Sequence, residues 1–439
     1  MEAIENEHNL LVYTHKITPR FTYIMKHIFI RILGIEVAFT IKIEDFIKHS
    51  GPKITYTKQP LQNEFFIRSN DLLFEQGIND LQIKVSNWDD IPCFFDAGER
   101  SNIPFDIFSA SFFLLSRYEE YLPHVKDSHG RFQAKDSLAY KNKFLEKPVV
   151  DIWAFKLLEG LKERFPEIIE KKRNYKFTSI IDVTTSHCYS HRGVVRSLSG
   201  LLLDIGSLKF RRFGQRILVG LKFKKDPYDN FSELIEIHKK YNYRSMFFFQ
   251  FAEYSNYDKN ISTNNNKFKY LIKSVADYSI VSLSASYSSF NDLELLKEEK
   301  ERLAGVINRP ITYSRTRYNR INVPETYRNL LEAEFTDDYT MGYSHDIGFR
   351  ASTCIPFYFY DINLEVQQPI KVHPFAVHDY SLISLKTKKE ILERLNKLYN
   401  EVKKVNGDLT IIFSNELLGG ESRLNWLKLY NTVIKKYYV

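Results

Sequence analysis

The sequence predicts an α/β protein in two parts: an N-terminal mixed α/β domain over residues 1–170, then parallel strands covered by helices over residues 175–439. Three observations carry this prediction. The chain has 439 residues, more than one ordinary core accommodates, so two domains are expected. Hydrophobic residues make up 44% and charged residues 26%, the balance of a folded globular protein and not of a disordered one. Past the charged stretch Glu167–Lys176, where Lys171, Lys172, Arg173 and Lys176 cluster, short apolar runs alternate with amphipathic helices.

In the first part, Leu10–Thr14 and Ile35–Ile41 read as strands flanking an amphipathic helix over Phe21–Leu33. Short aromatic strands follow at Ile54–Thr57, Glu64–Ile67 and Leu81–Val85, with Asn70, Asp71, Gly77 and Asn79 marking the loops between them. Helices over Pro104–Tyr121 and Val149–Phe165 close this part.

In the second part, the apolar strand Phe177–Val183 comes first. The helices Phe231–Tyr241, Phe268–Tyr278 and Leu293–Val306 lead into the strands Met246–Phe251, Ile280–Ser284 and Ile311–Ser314. Pro324 stands where a helix tolerates proline, in its first turn. The helix Lys388–Val405 repeats apolar residues at helical spacing, ends at Gly407 and is followed by the strand Leu409–Phe413. Such alternation makes a barrel or a doubly wound sheet, and in both the functional groups gather at the carboxyl ends of the strands.

The strand ends therefore supply the candidate site. They are Asp182 with Thr184, Thr185 and Ser186, then Ser284, Ala285 and Ser286, then Ser314 to Arg320, and finally Ser414, Asn415 and Glu416. Zinc needs nitrogen and charged oxygen ligands, whereas these positions offer neutral hydroxyls and arginines.

Composition narrows the function classes. Aromatics reach 15%, through 28 Tyr and 34 Phe, which fill cores and present faces on which sugar rings or bases stack. A net charge of +8 favours acidic partners, but no nucleic-acid module motif is present and no nucleic-acid partner is expected. Three scattered cysteines, Cys93, Cys188 and Cys354, argue against a disulfide framework and suit a reducing cytoplasm. Glu2, Glu5 and Glu7 precede any apolar run, so no signal peptide is expected. Lys26, His27 and Arg31 interrupt the apolar stretch Phe21–Leu33, so no transmembrane segment is expected either.

Longer strings sharpen this picture. "LLVYTHKITPR", "IPCFFDAGERSNIPFDIFSASFFLLSRYEEYLPH" and "FLEKPVVDIWA" resemble the N-terminal domain of a family of bacterial polysaccharide deacetylase-like proteins. "FTSIIDV", "NVPETYRNLLEAEFTDDYTMGYSHDIGFRASTCIPFYFYD" and "EVKKVNG" resemble its catalytic domain, a deformed (β/α) barrel of the NodB-homology deacetylase type. The resemblance covers nearly the whole chain. It implies a metal-dependent carbohydrate N-deacetylase, with zinc as the family's metal.

The family's pattern has Asp-x-Asp after the first barrel strand, His-Pro-Ser after a middle strand, Ser-Arg-Gln-His in the next loop and His-Asn-Glu after the last. Carried over, Asp182 is retained while its second Asp is Thr184. The three histidines fall on Ser284, Arg317 and Ser414, and Arg315, Arg320, Asn415 and Glu416 remain. The segment Gly348–Thr353 is also retained, with Arg350 as a cleft residue able to hold a sugar or to pair with Asp361 or Asp346.

Deacetylation of this class uses a metal-activated water, a carboxylate base and a histidine acid. With the ligands replaced, no metal is expected to bind and the ancestral reaction is expected to be lost. The implied role is then binding of a glycan or of a polysaccharide-assembly protein. A guanidinium at Arg317 is expected to neutralise the retained Asp182.

The alternative is an active hydrolase with a rearranged metal site. His187 and His191 lie four apart beside Asp182, and on a helix both rings would share a face. A loop with partly exposed histidines explains the same spacing. Asp337 and Asp338 resemble paired carboxylates, although capping the turn before Tyr339 explains them as well. His373 and His378 read as core or rim histidines. A third possibility assigns the function to protein contacts of the N-terminal domain.

Overall fold

The computed structural model describes residues 10–420 and 424–438, so Glu2, Glu5 and Glu7 lie outside the described residues. The N-terminal part is built on a four-stranded parallel sheet of β1 (Leu10–Thr14), β2 (Val37–Thr40), β3 (Lys53–Thr57) and β4 (Phe65–Arg68), in the order β2-β1-β3-β4. The helix between β1 and β2 starts at Pro19, where the Thr18 hydroxyl accepts the Phe21 amide at 3.1 Å, and continues past Lys26 as a π-helical turn to Ile32.

The strand expected at Leu81–Val85 lies further on. β5 (Val85–Trp88) and β6 (Ile91–Phe94) form a hairpin, because Asp89 and Asp90 both adopt positive φ (47° and 63°) and make a tight two-residue turn. The helix expected over Pro104–Tyr121 is two pieces, Ile107–Leu115 and Tyr118–Tyr121, split at Arg117, which takes a left-handed conformation (φ 55°). The second long helix runs Val149–Arg164 as expected.

The C-terminal part holds a nine-stranded sheet. Its members are β7 (Lys176–Val183), β8 (Met246–Phe249), β9 (Ile280–Ala285), β10 (Tyr313–Thr316), β11 (Asp337–Asp338), β12 (Phe357–Asp361), β13 (Val366–Val372), β14 (Val377–His378) and β15 (Asp408–Ser414). They lie in the order β12-β13-β11-β10-β9-β8-β7-β15-β14. All pairs are parallel except β12 with β13.

The two flanks of this sheet are bridged by one bent stretch of chain. β13 pairs with β11, β14 pairs with β15, and only residues 373–376 separate them. Within that bend, the Phe375 amide bonds to the Met341 carbonyl and the Ala376 amide to the Thr410 carbonyl, both at 3.0 Å. The sheet is therefore curled into a deformed (β/α) barrel, so the fold class is α/β with an N-terminal parallel sheet ahead of that barrel.

Strand alternation then sorts the side chains into two layers. Ile180, Met246, Phe248, Tyr339, Phe375 and Ile412 fill the barrel interior as a small cluster of their own. The opposite faces join the helices in a much larger core, which runs without a break from Leu10 to Tyr437 and so spans both parts of the chain. Several helices absent from the sequence-based expectation are present, three of them longer than ten residues. Val194–Gly206 and Phe210–Gly220 form a hairpin inserted between β7 and β8, and Trp426–Tyr437 packs on the barrel.

Candidate functional site

Continuing the interior alternation by two residues from Ile180, Ile412 and the start of β9 and β10 leads to Asp182, Ser414, Ser284 and Arg315. These four side chains form the top layer of the barrel interior, at the carboxyl ends of the strands. All four are buried.

Arg315 dominates this layer. Its Nε donates to Asp182 Oδ2 at 3.1 Å and its Nη1 to the Tyr339 carbonyl at 3.0 Å, while Nη2 donates to Asn319 Oδ1. Its guanidinium sits 5.3 Å from the centre of the Phe375 ring. A buried carboxylate without a counter-charge is costly, and this guanidinium supplies it. The pairing expected of Arg317 is thus made by Arg315. The chain turns sharply at Tyr318 (φ 60°), and Arg317 lies over the Tyr318 ring at 4.5 Å with Nη2 3.4 Å from the Tyr257 carbonyl.

Thr184 and Ser414 have internal partners too. The Thr184 hydroxyl donates to Glu416 at 2.8 Å. The amide and hydroxyl of Ser414 both donate to Asp379, at 2.6 and 2.7 Å, and His378 Nδ1 lies 2.8 Å from the other oxygen of that carboxylate. Asn415 donates to the Thr185 carbonyl at 2.9 Å. Asp182 Oδ1 and Ser284 Oγ are buried without a hydrogen-bond partner. Asp379 and Phe375 were not singled out from the sequence, whereas Asn319 lies in the strand-end run Ser314 to Arg320. The signal for Asp379 was its place at the end of a strand, directly after His378.

A catalytic zinc wants three nitrogen or carboxylate ligands around an open position. Among the described residues no three His, Cys, Asp or Glu side chains converge in that way. At the strand ends, Asp182 is held by a guanidinium while Thr184, Ser284 and Ser414 are neutral hydroxyls. This donor set does not fit zinc.

The rearranged set of Asp182, His187 and His191 is not assembled either. His187 and His191 do meet, with ring centres 5.1 Å apart, but they sit on a loop and not on a helix. His187 Nδ1 is 3.3 Å from the Ser186 hydroxyl. The carboxylate organising that loop is Asp226, which accepts the amides of Cys188, Tyr189 and Ser190 at 2.7 to 2.8 Å. Burial lowers the pKa of both histidines.

Arg350 borders the cleft described below but pairs with neither Asp361 nor Asp346. It is buried against Glu120, with Nε and Nη2 donating to the two carboxylate oxygens at 2.9 and 2.6 Å. Arg117 Nε donates to the same Glu120 at 2.7 Å, and Arg117 also bonds to the Arg350 carbonyl. Burial works to raise the Glu120 pKa, but Arg350 and Arg117 outweigh it and hold the carboxyl at about 2. This network ties the N-terminal part to the barrel, while Asp361 is paired with Arg328. Arg320 is a further structural arginine. It bonds to the carbonyls of His129 and Tyr287 at 2.9 and 3.0 Å and stacks 4.1 Å from the Tyr287 ring.

The two aspartates before Tyr339 form β11, and Asp338 also caps the bend that follows, its Oδ2 accepting the Thr340 amide at 3.0 Å. Asp338 is buried, accepting from Thr340 and Ser314, and Asp337 bonds to His373 at 2.6 Å. A cleft of 330 Å³ lies beside this region, between the stretch Asp127–Tyr140 and the barrel loop Gly342–Arg350. It joins the top layer through Asn319, which donates to the Ser344 hydroxyl at 2.8 Å. Arg131 donates to that hydroxyl at 3.0 Å from the other side. A larger cavity of 470 Å³ lies at the opposite end of the barrel, by the strand starts Lys176, Met246, Ile280 and Tyr313.

Comparison with known proteins adds the following. Residues 10–166 match a family of unknown function, DUF7033. No curated protein matches the chain. A solved structure from Mycobacterium smegmatis assigned as a polysaccharide deacetylase is 14% identical, with TM-score 0.41, covering 61% of this chain and 84% of that one. A polysaccharide deacetylase from Bacillus cereus is 10% identical, with TM-score 0.30, covering 60% and 88%. An allantoinase is 11% identical, with TM-score 0.38, covering 60% and 84%. The likeness is one of fold: this chain is similar to polysaccharide deacetylases in its barrel, and its N-terminal part matches a family without an assigned function.

Proposed function

We propose that this chain is a polysaccharide deacetylase-like protein that has lost the deacetylation chemistry and keeps a glycan-binding role in cytoplasmic carbohydrate metabolism. The observation that carries this reading is the ion pair between Arg315 and Asp182, 3.1 Å apart, at the strand ends where the family pattern puts its metal. The Arg315 guanidinium already supplies the counter-charge that a cation would otherwise bring to Asp182. Thr184 and Ser414 are engaged with Glu416 and Asp379 and offer no charge.

The interdomain cleft supports a binding role. At 330 Å³ it is within the range of small-molecule sites, and it combines hydroxyl, carboxylate and imidazole groups with the exposed ring of Tyr140. Such a mixture suits the alternating polar and apolar faces of a sugar. The three cysteines are free thiols, which suits a reducing compartment.

The test is calorimetric titration with acetylated and deacetylated amino-sugar oligosaccharides, alongside elemental analysis of the purified protein. Glycan binding that Tyr140→Ala and Asp346→Ala abolish, with only trace metal, is the expected result. Near-stoichiometric zinc that His187→Ala and His191→Ala remove, together with deacetylase activity, overturns the reading in favour of the rearranged hydrolase.

A further inference from the structure

The formal charge of +8 is not spread over the chain. Residues 192–225 hold nine Lys and Arg against the single acid Asp204, so this one stretch carries a net charge equal to that of the whole protein. The same stretch forms the helical hairpin between β7 and β8, Val194–Gly206 and Phe210–Gly220. It also holds the densest run of exposed apolar side chains: Val195 is 80% exposed, Leu202 71%, Leu208 74% and Phe223 79%.

The pattern is ordered. On the first helix Val195, Leu198, Leu202 and Ile205 fall at intervals of three and four, making one stripe, and all are exposed. On the second, Phe210, Ile217, Leu218 and Leu221 make another. In most soluble domains such stripes face the core. Here few apolar residues turn inward, Val219 with the half-buried Leu201 and Phe213, and polar groups join them. Asp204 is buried and paired with Arg216 at 2.9 Å, which locks one helix to the other. Arg196 fastens the hairpin to the loop after β8, bonding to the Asn260 carbonyl at 3.2 Å and stacking 4.5 Å from the Tyr254 ring. The apolar stripes are left facing outward.

No described helix is long and apolar enough to cross a membrane. Short amphipathic helices with leucine and phenylalanine on one face and lysine and arginine along its edges instead lie in the plane of a bilayer surface. Their apolar face enters the acyl boundary and their cations meet anionic headgroups. We propose that the hairpin 194–221 docks this protein on an anionic phospholipid surface. The exposed Lys209 and Lys222 flank the apolar stripes and supply the charge complementarity. The hairpin packs against the β8 loop, at the carboxyl end of the strands, so docking holds the mouth of the barrel near the headgroups.

The test is co-sedimentation of the full chain with vesicles of phosphatidylglycerol mixed with phosphatidylcholine, against phosphatidylcholine alone. The expected result is retention on the anionic vesicles only, weakened by salt. Leu202→Glu with Leu218→Glu should weaken it by about tenfold or more, and Lys209→Gln with Lys222→Gln should weaken it by a smaller factor. These positions are exposed, so unchanged thermal melts are expected of both variants. Wild-type protein left in solution with both vesicle types overturns the proposal. So does a lipid-free dimer that Leu202→Glu with Leu218→Glu dissociates, since the stripes would then serve a second copy of the chain.

Discussion

Arg315 Nε lies 3.1 Å from Asp182 Oδ2, although the strands that carry them, β10 and β7, are separated in the sheet by β9 and β8. In a flat sheet three strand spacings amount to about 14 Å, farther than these two side chains reach together. The ion pair is thus a direct reading of the curl of the barrel. It also makes Asp182 an element of the core.

Removing one partner of that pair should be costly. Arg315→Met leaves Asp182 buried and uncompensated, and a loss of about 3–5 kcal/mol in urea unfolding is expected. Adding Asp182→Asn should recover most of it, because a neutral amide needs no counter-charge. A double variant no more stable than Arg315→Met alone would show that the guanidinium acts through its bonds to Tyr339 and Asn319 instead.

The Glu120 network should show itself in acid. The folded-state pKa of Glu120 is about 2, below the ordinary 4.5. The unfolded chain therefore binds the proton more readily, and the stability this group confers is present above about pH 4.5 and lost as pH falls toward 2. Glu120→Gln should flatten that limb of the stability profile. At neutral pH, Arg350→Ala should cost about 3–5 kcal/mol by leaving a buried carboxylate with one arginine in place of two.

Glu299 should act in the opposite sense. Burial, with Asp258 nearby, raises its pKa from 4.5 to about 7, even though Ser286 and Ser289 donate to it. Between about pH 4.5 and 7 the folded state holds the proton that the unfolded chain releases, so stability falls as pH rises through that window. Glu299→Gln should remove this slope and stabilise the protein at pH 8, by an amount of order 3 kcal/mol at most. Thermal melts across pH 4 to 8 measure it, and parallel profiles for the two proteins would refute it.

Zinc should leave the protein unchanged. Elemental analysis is expected to find only trace metal, and neither added zinc nor a strong chelator should move the melting temperature. A clear upward shift with zinc that His187→Ala with His191→Ala abolishes would contradict this.

Several elements could be read from residues alone. β1 begins and ends at Leu10 and Thr14 as expected, and the long helix at Lys388 matches to within one residue. Both signals are local, an apolar run in one case and helical periodicity with a Gly407 stop in the other. The same reasoning failed at Asp337 and Asp338, because a two-residue strand owes its existence to its neighbours Ser314 and Val372 and not to its own composition. It also failed at 194–220, where apolar residues point outward and the usual link between hydrophobicity and burial is reversed.

What the sequence by itself determined was the α/β class and which residues stand at the strand ends, since periodicity and the chemistry of side chains are local properties. Which arginine meets Asp182 and that Arg350 is buried against Glu120 were decided only by the tertiary structure. Those relations join residues 133 and 230 positions apart, and they depend on the curl of a sheet and on loop turns such as that at Tyr318. No pattern confined to one segment encodes that geometry.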